Sequence, residues 1–485
     1  MSQPTNTLDK YPDYQTDIGI EVHVQLSTAS KIFCPSKNGP CPTPNKHIDI
    51  ICAGYPGSLP MLNKQVVDSA IMTGLATNCT INKVSEFARK HYFYPDLPKG
   101  YQITQDNKPI CENGHVTIPL EDGSTKKIRI KRIHMEEDAG KNIHAQGRSL
   151  VDLNRAGSPL LEIVTEPDIK SSYEAKTYLK TLHSIVTYLG ITTGNMEAGA
   201  FRADTNLSVR KKEDPQLGTR CEMKNINSFK FISDAVEYEI ERQIKMLENG
   251  EKIKQETRLW NTSAKKTVSM RSKEEAADYR YFKDPDLPQL VLDDAWIENI
   301  KKQLPELPSQ KAVRLQQTYK ITPDEAEILI NAPVISSFFE EAAQYTSSPK
   351  LINWVVRNVM GYLKEHKITI KTLKTTPEYV AQLVNLVEKG TINTRAAQQV
   401  FDEVAATGKE PQAVVQEKGL EQVDDVTALQ EVVQEVIGAN PKQVAAYKAG
   451  KDKLIGFFVG QAMQKTKGKA NPQTLQTLAK KLLSE

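Results

Sequence analysis

Long apolar segments are missing from this chain of 485 residues. No stretch approaches the roughly 18 consecutive apolar residues of a transmembrane helix, so we expect no membrane span. Residues 1–17 contain neither an apolar run nor a basic flank, so we expect no signal or transit peptide. Cysteines are few, six in all, and scattered. Without a secretion signal, they are expected to be reduced thiols of a cytosolic protein.

An excess of charge of one sign is also missing. The chain has 63 Lys and Arg residues against 60 Asp and Glu residues, a formal net charge of +3. No global field therefore marks it as a nucleic-acid-binding protein, and any such signal must be local.

Several common catalytic motifs are absent as well. The sequence has no P-loop of the form G-x-x-x-x-G-K-S/T, no G-x-G-x-x-G, no H-E-x-x-H and no G-x-S-x-G. If the protein uses ATP, its fold is therefore neither that of the P-loop enzymes nor that of the protein kinases.

The sequence pattern changes once along the chain, near residue 295. Before this point polar and apolar residues alternate, as in 17–26 and 201–207, which predicts strands with one buried face. After it the pattern is helical, with proline-containing breaks near 304–308 and 408–411. We therefore predict an α+β protein with three domains: a large β-rich domain with a mainly antiparallel sheet at 1–295, a helical domain at 296–410 and a helical tail at 411–485.

Two helices interrupt the predicted strands. One begins at Ser171, which forms a capping box with Glu174 three residues later, and it ends at Gly190. The other runs from about Ser228 to Gly250, with apolar residues at helical spacing.

The first predicted strand separates apolar from polar side chains. Glu21, His23 and Gln25 share one face, and the apolar residues between them share the other, because side chains two apart lie on the same side. Glu21 and His23 are then about 7 Å apart, near enough to flank one cation.

Other segments before residue 295 repeat this arrangement of carboxylates among basic and amide side chains. Carboxylates with a histidine are hard ligands suited to Mg²⁺ or Mn²⁺, and interleaved Arg and Lys suit phosphate. Together they indicate metal-assisted phosphoryl chemistry, but not its substrate. For any single strand, the alternative is the solvated face that antiparallel sheets normally expose. The segments contain Glu162 with Glu166; Arg202, Asp204 and Asn206; Arg220, Glu222 and Lys224; and the acidic run Glu136, Glu137 and Asp138.

The C-terminal residues carry a local positive charge. From Asn440 onward, nine lysines stand against two acidic residues. This pattern is typical either of a solvated helix face or of a surface that contacts RNA phosphates, and charge alone leaves both interpretations open. The lysines are Lys442, Lys448, Lys451, Lys453, Lys465, Lys467, Lys469, Lys480 and Lys481.

Seven sequence blocks resemble those of one protein family, and they occur in that family's order. The family is the B subunit of the bacterial tRNA-dependent Asp/Glu amidotransferase, and the resemblance spans the chain. Chance matching of so many blocks is negligible. The blocks are GIEVHVQL at 19–26, YFYPDLPKGYQI at 92–103, HMEEDAG at 134–140, VDLNRAG at 151–157, DYRYF at 278–282, GFFVGQAM at 456–463 and GKANP at 468–472.

The resemblance implies a function and a fold. Such complexes correct mischarged Glu-tRNA(Gln) or Asp-tRNA(Asn). The B subunit uses ATP and Mg²⁺ to phosphorylate the side-chain carboxylate on the tRNA. Ammonia made from glutamine by the A subunit then displaces the phosphate, and a small C subunit completes the heterotrimer. The implied fold is a β-rich cradle, a helical domain and a YqeY-like helical tail that binds tRNA.

The resemblance also implies roles for individual residues. Glu21, His23, Glu137 and Glu222 match metal and ammonia-entry positions, and Lys90 with Tyr92 matches the ammonia tunnel. On the strand argument we assign Asp204 to catalysis and Arg202 and Lys224 to phosphate or substrate binding. In the tail, the charge excess leads us to predict that Lys465, Lys467 and Lys469 bind tRNA.

The cysteines depart from the family pattern. Many relatives have Cys-x-Cys and Cys-x-x-Cys in the early loop, which can bind zinc. Here Cys34 and Cys52 remain, but Ser36 and Asp49 occupy the other two positions and Cys41 lies off the pattern. We therefore expect no zinc.

Two other classes of function stay open at this stage. A non-catalytic tRNA-binding scaffold would account for the tail but would leave the carboxylates unexplained. A metal-dependent hydrolase would need a nucleophile or base pairing that the sequence does not show. The sequence does not indicate which mischarged tRNA is served.

Overall fold

The chain folds into two units that differ in secondary structure. The structure is a computed structural model, and it describes residues 7–145, 147–272, 278–421, 426–448, 450–466 and 470–484. Met1–Pro308 contains every strand of these described residues, whereas the described elements of Ser309–Glu485 are helices. The α+β prediction is confirmed. The division into three domains stays a prediction.

Strands dominate the first unit. The longest are near the start of the chain and around residues 125–137, where apolar and polar residues alternate. The strands are β1 Tyr14–Gln25, β2 Thr80–Ile81, β3 Val84–Ser85, β4 Ala88–His91, β5 Tyr101–Thr104, β6 Cys111–Pro119, β7 Thr125–Glu137, β8 Lys141–Ala145, β9 Arg148–Asp152, β10 Pro159–Thr165, β11 Phe201–Lys211, β12 Cys221–Ile226, β13 Glu256–Asn261, β14 Lys266–Ser272, β15 Phe282–Lys283 and β16 Leu290–Val291.

One large sheet organises these strands. Its order is β14-β13-β12-β11-β1-β10-β7-β6-β2. Neighbouring strands are antiparallel except for β12 and β13, which are parallel. The expected mainly antiparallel sheet is therefore present, and β1 lies at its centre.

Strand β1 has one apolar face and one polar face. Ile18, Ile20 and Val22 are at most 1% exposed, whereas Glu21 and His23 are half-buried on the other side. The apolar face packs in a single core with side chains of the two long helices of this unit. Because those helices cover one face of the sheet, the other face is left for polar side chains.

The two long helices begin where the sequence predicts. The Oγ atoms of Ser171 and Ser228 accept the backbone N–H of Glu174 and Phe231, which caps each helix. The Glu174 carboxylate accepts the N–H of Lys170 rather than that of Ser171. The helices of this unit are α1 Thr7–Lys10, α2 Lys64–Ala76, α3 Ser172–Tyr188, α4 Phe229–Glu248 and α5 Asp294–Lys302.

Helices make up the described part of the second unit. Several begin at a proline in the first turn, where a missing N–H costs no helical hydrogen bond. They are α6 Pro308–Tyr319, α7 Pro323–Ile330, α8 Pro333–Ala342, α9 Leu351–Asn353, a π-helix Trp354–Val359, α10 Met360–His366, a 3₁₀ helix Ile370–Thr372, α11 Pro377–Glu388, α12 Thr394–Thr407, α13 Pro411–Glu417, α14 Val426–Ala439, α15 Pro441–Lys448, a 3₁₀ helix Asp452–Leu454, α16 Ile455–Lys465 and α17 Pro472–Ser484.

Two separate apolar cores stabilise the second unit. The first includes Phe401 and, from α13, Val414 and Val415. The second is built from α14, α16 and α17 and includes Phe458 and Leu475. Helix α13, at the start of the predicted tail, therefore packs with the middle helices.

None of the described helices is both long enough and apolar enough to cross a membrane.

Candidate active site on the polar face of the sheet

Four neighbouring strands align polar side chains in one row across the sheet. His23 on β1 lies opposite Arg202 on β11 and opposite Glu162 on β10. Glu162 in turn lies opposite His134 on β7. Residues directly opposite each other in antiparallel strands share a face. The register therefore brings together side chains from distant parts of the sequence.

These strands form a compact group of titratable side chains, which we call the His–Glu cluster. His23 Nε2 lies 3.3 Å from Glu162 Oε2, 3.4 Å from Glu136 Oε1 and 3.8 Å from Glu21 Oε1. His134 Nε2 lies 3.4 Å from Glu162 Oε2 and 3.6 Å from Glu136 Oε2. The cluster consists of Glu21, His23, His134, Glu136 and Glu162.

Close pairing inside the cluster shifts its protonation. Burial opposes the charge on His134, but Glu162 and Glu136 raise its pKa to about 9. The same carboxylates raise the pKa of His23 against burial. In return, the histidines lower the pKa values of Glu136 and Glu162, again against burial. The carboxylates therefore stabilise positive charge in the cluster. A metal cation would compete with protons for the nitrogen atoms of the histidines.

The donor atoms of the cluster suit a divalent cation. Glu21, His23 and Glu162 each offer one atom within 4.8 Å of the others, and so do His134, Glu136 and Glu162. Carboxylate oxygens with a single imidazole nitrogen match the preferences of Mg²⁺ or Mn²⁺. Glu162 belongs to both groups, so it is the shared donor of the cluster.

Lys224 extends the site across the neighbouring strands. Its Nζ lies 2.8 Å from Asp204 Oδ2 and 3.3 Å from Glu222 Oε1. Asp204 lies opposite Glu21, which links this pair to the His–Glu cluster, whereas Glu222 also accepts a hydrogen bond from Thr257. Burial opposes the charge on Lys224, but Asp204 raises its pKa. Lys224 is therefore a permanent cation beside the cluster.

Arg202 places a second cation at the end of the aligned row. Its Nη2 donates to Asp138 Oδ2 at 2.9 Å, and Arg155 Nε lies 3.5 Å from the same oxygen. The Nε of Arg202 is buried and makes no hydrogen bond within the described part of the chain. A guanidinium with an unused donor beside a metal-type cluster is suited to an anionic ligand.

Glu137 lies outside the His–Glu cluster. Its carboxylate pairs with Lys99, and its Oε1 accepts the N–H of Ile103 at 2.9 Å. Gln102 Nε2 donates to the Glu137 carbonyl at 2.7 Å. At this end of β7, the Glu136 side chain contacts His23. The predicted roles of Glu137 and Glu222 as metal ligands stay predictions.

Lys90 and Tyr92 lie on and just after β4, beside the cluster. The Lys90 ammonium is 4.9 Å from the centre of the Tyr279 ring. Tyr92 donates its hydroxyl hydrogen to Gln102 Oε1 at 3.3 Å. Burial opposes the charge on Lys90, but Glu136 raises its pKa, so the two residues are electrostatically linked. Burial and then Glu136 also raise the pKa of Tyr92, so both predicted tunnel residues interact electrostatically with Glu136.

A cavity of about 400 Å³ opens on the same face of the sheet. Glu21 lines it, so the cavity borders the His–Glu cluster. Ligand cavities commonly have a volume of this order. The charged and amide residues that line it include Asp17, Lys131, Arg132, Glu166, Asn206 and Arg220.

The structure describes most, but not all, of the lysines of the tail. Lys465 pairs with Glu435. Lys467 and Lys469, the other two predicted tRNA-binding residues, lie outside the described residues. Six other lysines of the tail are exposed, which leaves both the solvated-face and the RNA interpretations open: Lys442, Lys448, Lys451, Lys453, Lys480 and Lys481.

The residues that received individual roles from the sequence do not include His134, Glu136 and Glu162, although all three belong to the cluster. The alternation within each strand does place Glu162 on a polar face, and it puts His134 and Glu136 two residues apart on one side. Choosing them would have required the pairing of β7 with β10.

Two family models match the chain. The model described as "GatB/GatE catalytic domain" matches residues 16–298, and the model described as "GatB domain" matches residues 337–483. The first of these covers more than half of the chain.

Curated relatives match over almost the full length. A protein of Thermodesulfovibrio yellowstonii is 51% identical over 97% of this chain and 100% of its own length. A protein of Persephonella marina is 49% identical over 97% of this chain and 100% of its own, and one of Geotalea uraniireducens is 52% identical over 97% and 99%. Each of the three is named as the B subunit of an aspartyl/glutamyl-tRNA(Asn/Gln) amidotransferase.

Proposed function

This chain belongs to the family of aspartyl/glutamyl-tRNA(Asn/Gln) amidotransferase B subunits, and we propose that it uses ATP to phosphorylate the side-chain carboxylate of mischarged Glu-tRNA(Gln) or Asp-tRNA(Asn). It is one component of a tRNA-dependent amidotransferase. We propose further that ammonia, released from glutamine by an A subunit, displaces the phosphate to give the amide. A C subunit would complete the heterotrimer.

The His–Glu cluster carries this proposal. Phosphoryl transfer depends on positioning and on neutralising the charge of the transferred group. Glu162 would hold a divalent cation either with Glu21 and His23 or with His134 and Glu136, because the donor atoms of each group of three lie within 4.8 Å of one another. That cation would supply charge neutralisation for the phosphoryl oxygens.

Arg202 and Lys224 would orient the anionic reactants. They lie on β11 and β12, the two strands that follow β1 on one side of the cluster, and each already pairs with a carboxylate of the protein. An incoming carboxylate or phosphate can exchange with these partners or use the unused Nε of Arg202. Fixing both reactants in this way supplies the orientation that a reaction between two anions requires.

The neighbouring cavity would receive the nucleotide. It shares Glu21 with the cluster, and Lys131, Arg132 and Arg220 contribute positive charge to its lining. A nucleotide in this cavity could therefore direct its phosphates toward the cluster. Lys90 and Tyr92 would line the approach of ammonia, since the Glu136 carboxylate acts electrostatically on both side chains.

ATP hydrolysis that depends on mischarged tRNA would test the proposal. The chain is purified with its companion subunits, and phosphate release is measured with Glu-tRNA(Gln), Asp-tRNA(Asn) and, as a control, correctly charged Gln-tRNA(Gln). We expect release with at least one mischarged tRNA and background release with the control. Amidation of each mischarged tRNA, measured in parallel, identifies the substrate.

Two results would contradict the proposal in different ways. Amidation without any ATP consumption would remove the phosphorylation step. Binding of tRNA by a complex that neither consumes ATP nor amidates would favour the non-catalytic scaffold.

A further inference from the structure

Residues 278–286 lie along β4, and we call this segment the strap. Strand β15, which belongs to the strap, pairs with β4 in a small sheet of the order β15-β4-β5, with Phe282 opposite Arg89. The backbone N–H of Asp284 donates to the Phe87 carbonyl at 2.9 Å. Backbone hydrogen bonds therefore fix the strap against the strand that carries Lys90.

Arg89 holds the second half of the strap. Its Nε donates to Asp284 Oδ2 at 2.9 Å, and its Nη2 donates to Asp286 Oδ2 at 2.6 Å. The Asp284 side chain is fully buried, and the guanidinium lies 4.3 Å from the centre of the Tyr101 ring. A planar guanidinium that is bound to two carboxylates and stacked on a ring has a closely defined position.

His91 holds the first half of the strap. Its backbone N–H donates to the Tyr279 carbonyl at 2.9 Å, and its Nδ1 lies 3.1 Å from the Arg280 carbonyl. The imidazole also stacks on the Phe282 ring, with centroids 4.9 Å apart and planes 22° from parallel. These contacts fix the backbone at Tyr279, so β4 determines where the Tyr279 side chain lies.

The Tyr279 ring contacts both residues of the predicted ammonia approach. The Lys90 ammonium lies 4.9 Å from its centre, and the Tyr92 ring meets it edge-on, with centroids 6.3 Å apart. Both geometries are attractive, because the ring face is negative and ring edges are positive. Among the ion pairs of the described residues, none joins Lys90 to a carboxylate. The Tyr279 ring is therefore the side chain that holds the Lys90 ammonium.

Tyr92 extends this set of contacts toward the His–Glu cluster. Its hydroxyl donates to Gln102 Oε1 at 3.3 Å, and Gln102 Nε2 donates to the Glu137 carbonyl at 2.7 Å. Two residues further along β5, Thr104 Oγ1 donates to Glu136 Oε2 at 3.3 Å. The strap, β4 and β5 are thus joined to the end of β7 that carries a carboxylate of the cluster.

We propose that Tyr279 is a positioning residue, which holds Lys90 and Tyr92 in place and covers the approach of ammonia on its solvent side. The inference rests on the proposed function, in which Lys90 and Tyr92 line that approach. Tyr279 is 38% exposed, so its ring lies between these two residues and the solvent. It acts through them and not on the reacting atoms.

The proposal has a consequence for how much of the ammonia is used. Ammonia that meets solvent before it reaches the phosphorylated carboxylate is lost, and a closed approach prevents that loss. Removing the Tyr279 ring should therefore lower the amount of amide formed per glutamine hydrolysed. A residue that only stabilised the fold would lower both activities together and leave this ratio unchanged.

Measuring both products in one reaction tests the proposal. The chain is purified with its companion subunits, and glutamate release and tRNA amidation are followed with glutamine as the nitrogen donor. Tyr279→Leu should lower the ratio of amide to glutamate by about 10-fold, because the approach is no longer covered. Glutamine hydrolysis, and amidation driven by saturating ammonium chloride, should stay at the wild-type level.

Two variants of the strap serve as controls. Tyr279→Phe keeps the ring and should keep the wild-type ratio. Arg280→Gln changes the next side chain, which is exposed, and should also keep it.

A double-mutant cycle tests whether Tyr279 acts through Lys90. Lys90→Met should lower the ratio by itself. In that background, Tyr279→Leu should lower it by no more than about 3-fold further, because the ammonium that the ring holds has already been removed. A full additional 10-fold loss would show that the two residues act independently and would overturn the positioning role.

The remaining outcomes separate this inference from the function on which it rests. A wild-type complex that forms no amide with glutamine or with ammonium chloride would contradict the proposed function, and the inference with it. If the wild-type complex is active but Tyr279→Leu keeps its ratio, only the role of Tyr279 is wrong. An equal loss of amidation with both nitrogen donors would likewise overturn that role alone.

Discussion

Glu136 and Glu137 are neighbours in the sequence, yet their carboxylates lie in different surroundings. Glu136 contacts His23 and His134, whereas Glu137 pairs with Lys99 and caps the N–H of Ile103. Successive side chains of a strand point to opposite faces, so two adjacent acids cannot both reach one point on the sheet. The register in which β7 pairs with β10 decides which of the two carboxylates faces the cluster.

The contrast between these two acids leads to a first prediction. Glu136→Gln should lower the affinity of the protein for Mn²⁺ by at least about 10-fold, because it removes a charged donor from the His–Glu cluster. Glu137→Gln should largely retain that affinity, because its carboxylate lies with Lys99. Isothermal titration calorimetry with Mn²⁺ measures both. An equal loss in the two variants would favour Glu137 as a ligand.

Glu162 leads to a second prediction at the same scale. It contacts both histidines and belongs to both donor groups, so Glu162→Gln should reduce amidation by at least about 100-fold while glutamine hydrolysis by the complex persists. Glu213→Gln, at an exposed position after β11, is the matched control and should keep full amidation. Retained amidation in Glu162→Gln would remove the cluster from the mechanism.

At the scale of elements, helix α4 is fixed to the sheet by a buried ionic network. The Glu239 carboxylate is 0% exposed and accepts hydrogen bonds from Arg242, Gln243 and Thr267, while Arg258 Nε lies 3.4 Å away. These partners come from α4 itself, from β13 and from β14. The network therefore holds the helix on the half of the sheet that carries Glu222 and Lys224.

This network leads to a third prediction. Glu239→Gln should lower the free energy of opening of α4 by about 3 kcal/mol, because a buried carboxylate is neutralised and the half-buried Arg242 loses its charged partner, while Arg258 keeps only Glu256. Native-state hydrogen exchange of α4 peptides measures this. Glu241→Gln on the same helix removes an exposed pair with Lys245 and should leave the exchange almost unchanged. Similar protection in both variants would show that the buried pairing contributes little.

At the scale of the whole molecule, the excess positive charge of the tail and the His–Glu cluster belong to different units of the chain. The exposed lysines lie in the second unit, and the core that holds their helices begins at Leu429. Val414, Val415 and Leu420 pack with the preceding core. A truncation that tests the tail should therefore end near residue 421 rather than near Gly408.

The tail leads to a fourth prediction. Truncation after Glu421 should raise the KM for mischarged tRNA at least about 10-fold and spare glutamine hydrolysis, because phosphate contacts supply affinity independent of sequence. Lys480→Glu with Lys481→Glu should reproduce part of this and lower the salt slope of tRNA binding by up to about 1.8, for two duplex phosphates.

The control is Lys301→Glu with Lys302→Glu, at the end of α5 in the first unit. That pair of exposed lysines should leave both the KM and the salt slope unchanged. If the reversals in α17 also leave them unchanged, then the tail lysines only solvate their helices.

The sequence by itself determined where β1, α3 and α4 lie in the chain and which face of β1 is apolar. The alternation in β1 predicted a buried apolar side and a polar side with Glu21 and His23, and the serines at 171 and 228 marked the starts of α3 and α4. Such patterns are local, since backbone periodicity and helix capping involve residues only a few positions apart. The seven sequence blocks also determined the family.

Only the tertiary structure decided which polar side chains meet. Pairing of β1 with β10, and of β10 with β7, brings Glu162 between His23 and His134, while a bulge between Val164 and Thr165 breaks the alternation before Glu166. Register is a property of two strands, and a shift by one residue would turn every side chain to the other face. No pattern within a single strand contains that information, so Glu136 and Glu162 join the candidate site only once the sheet has formed.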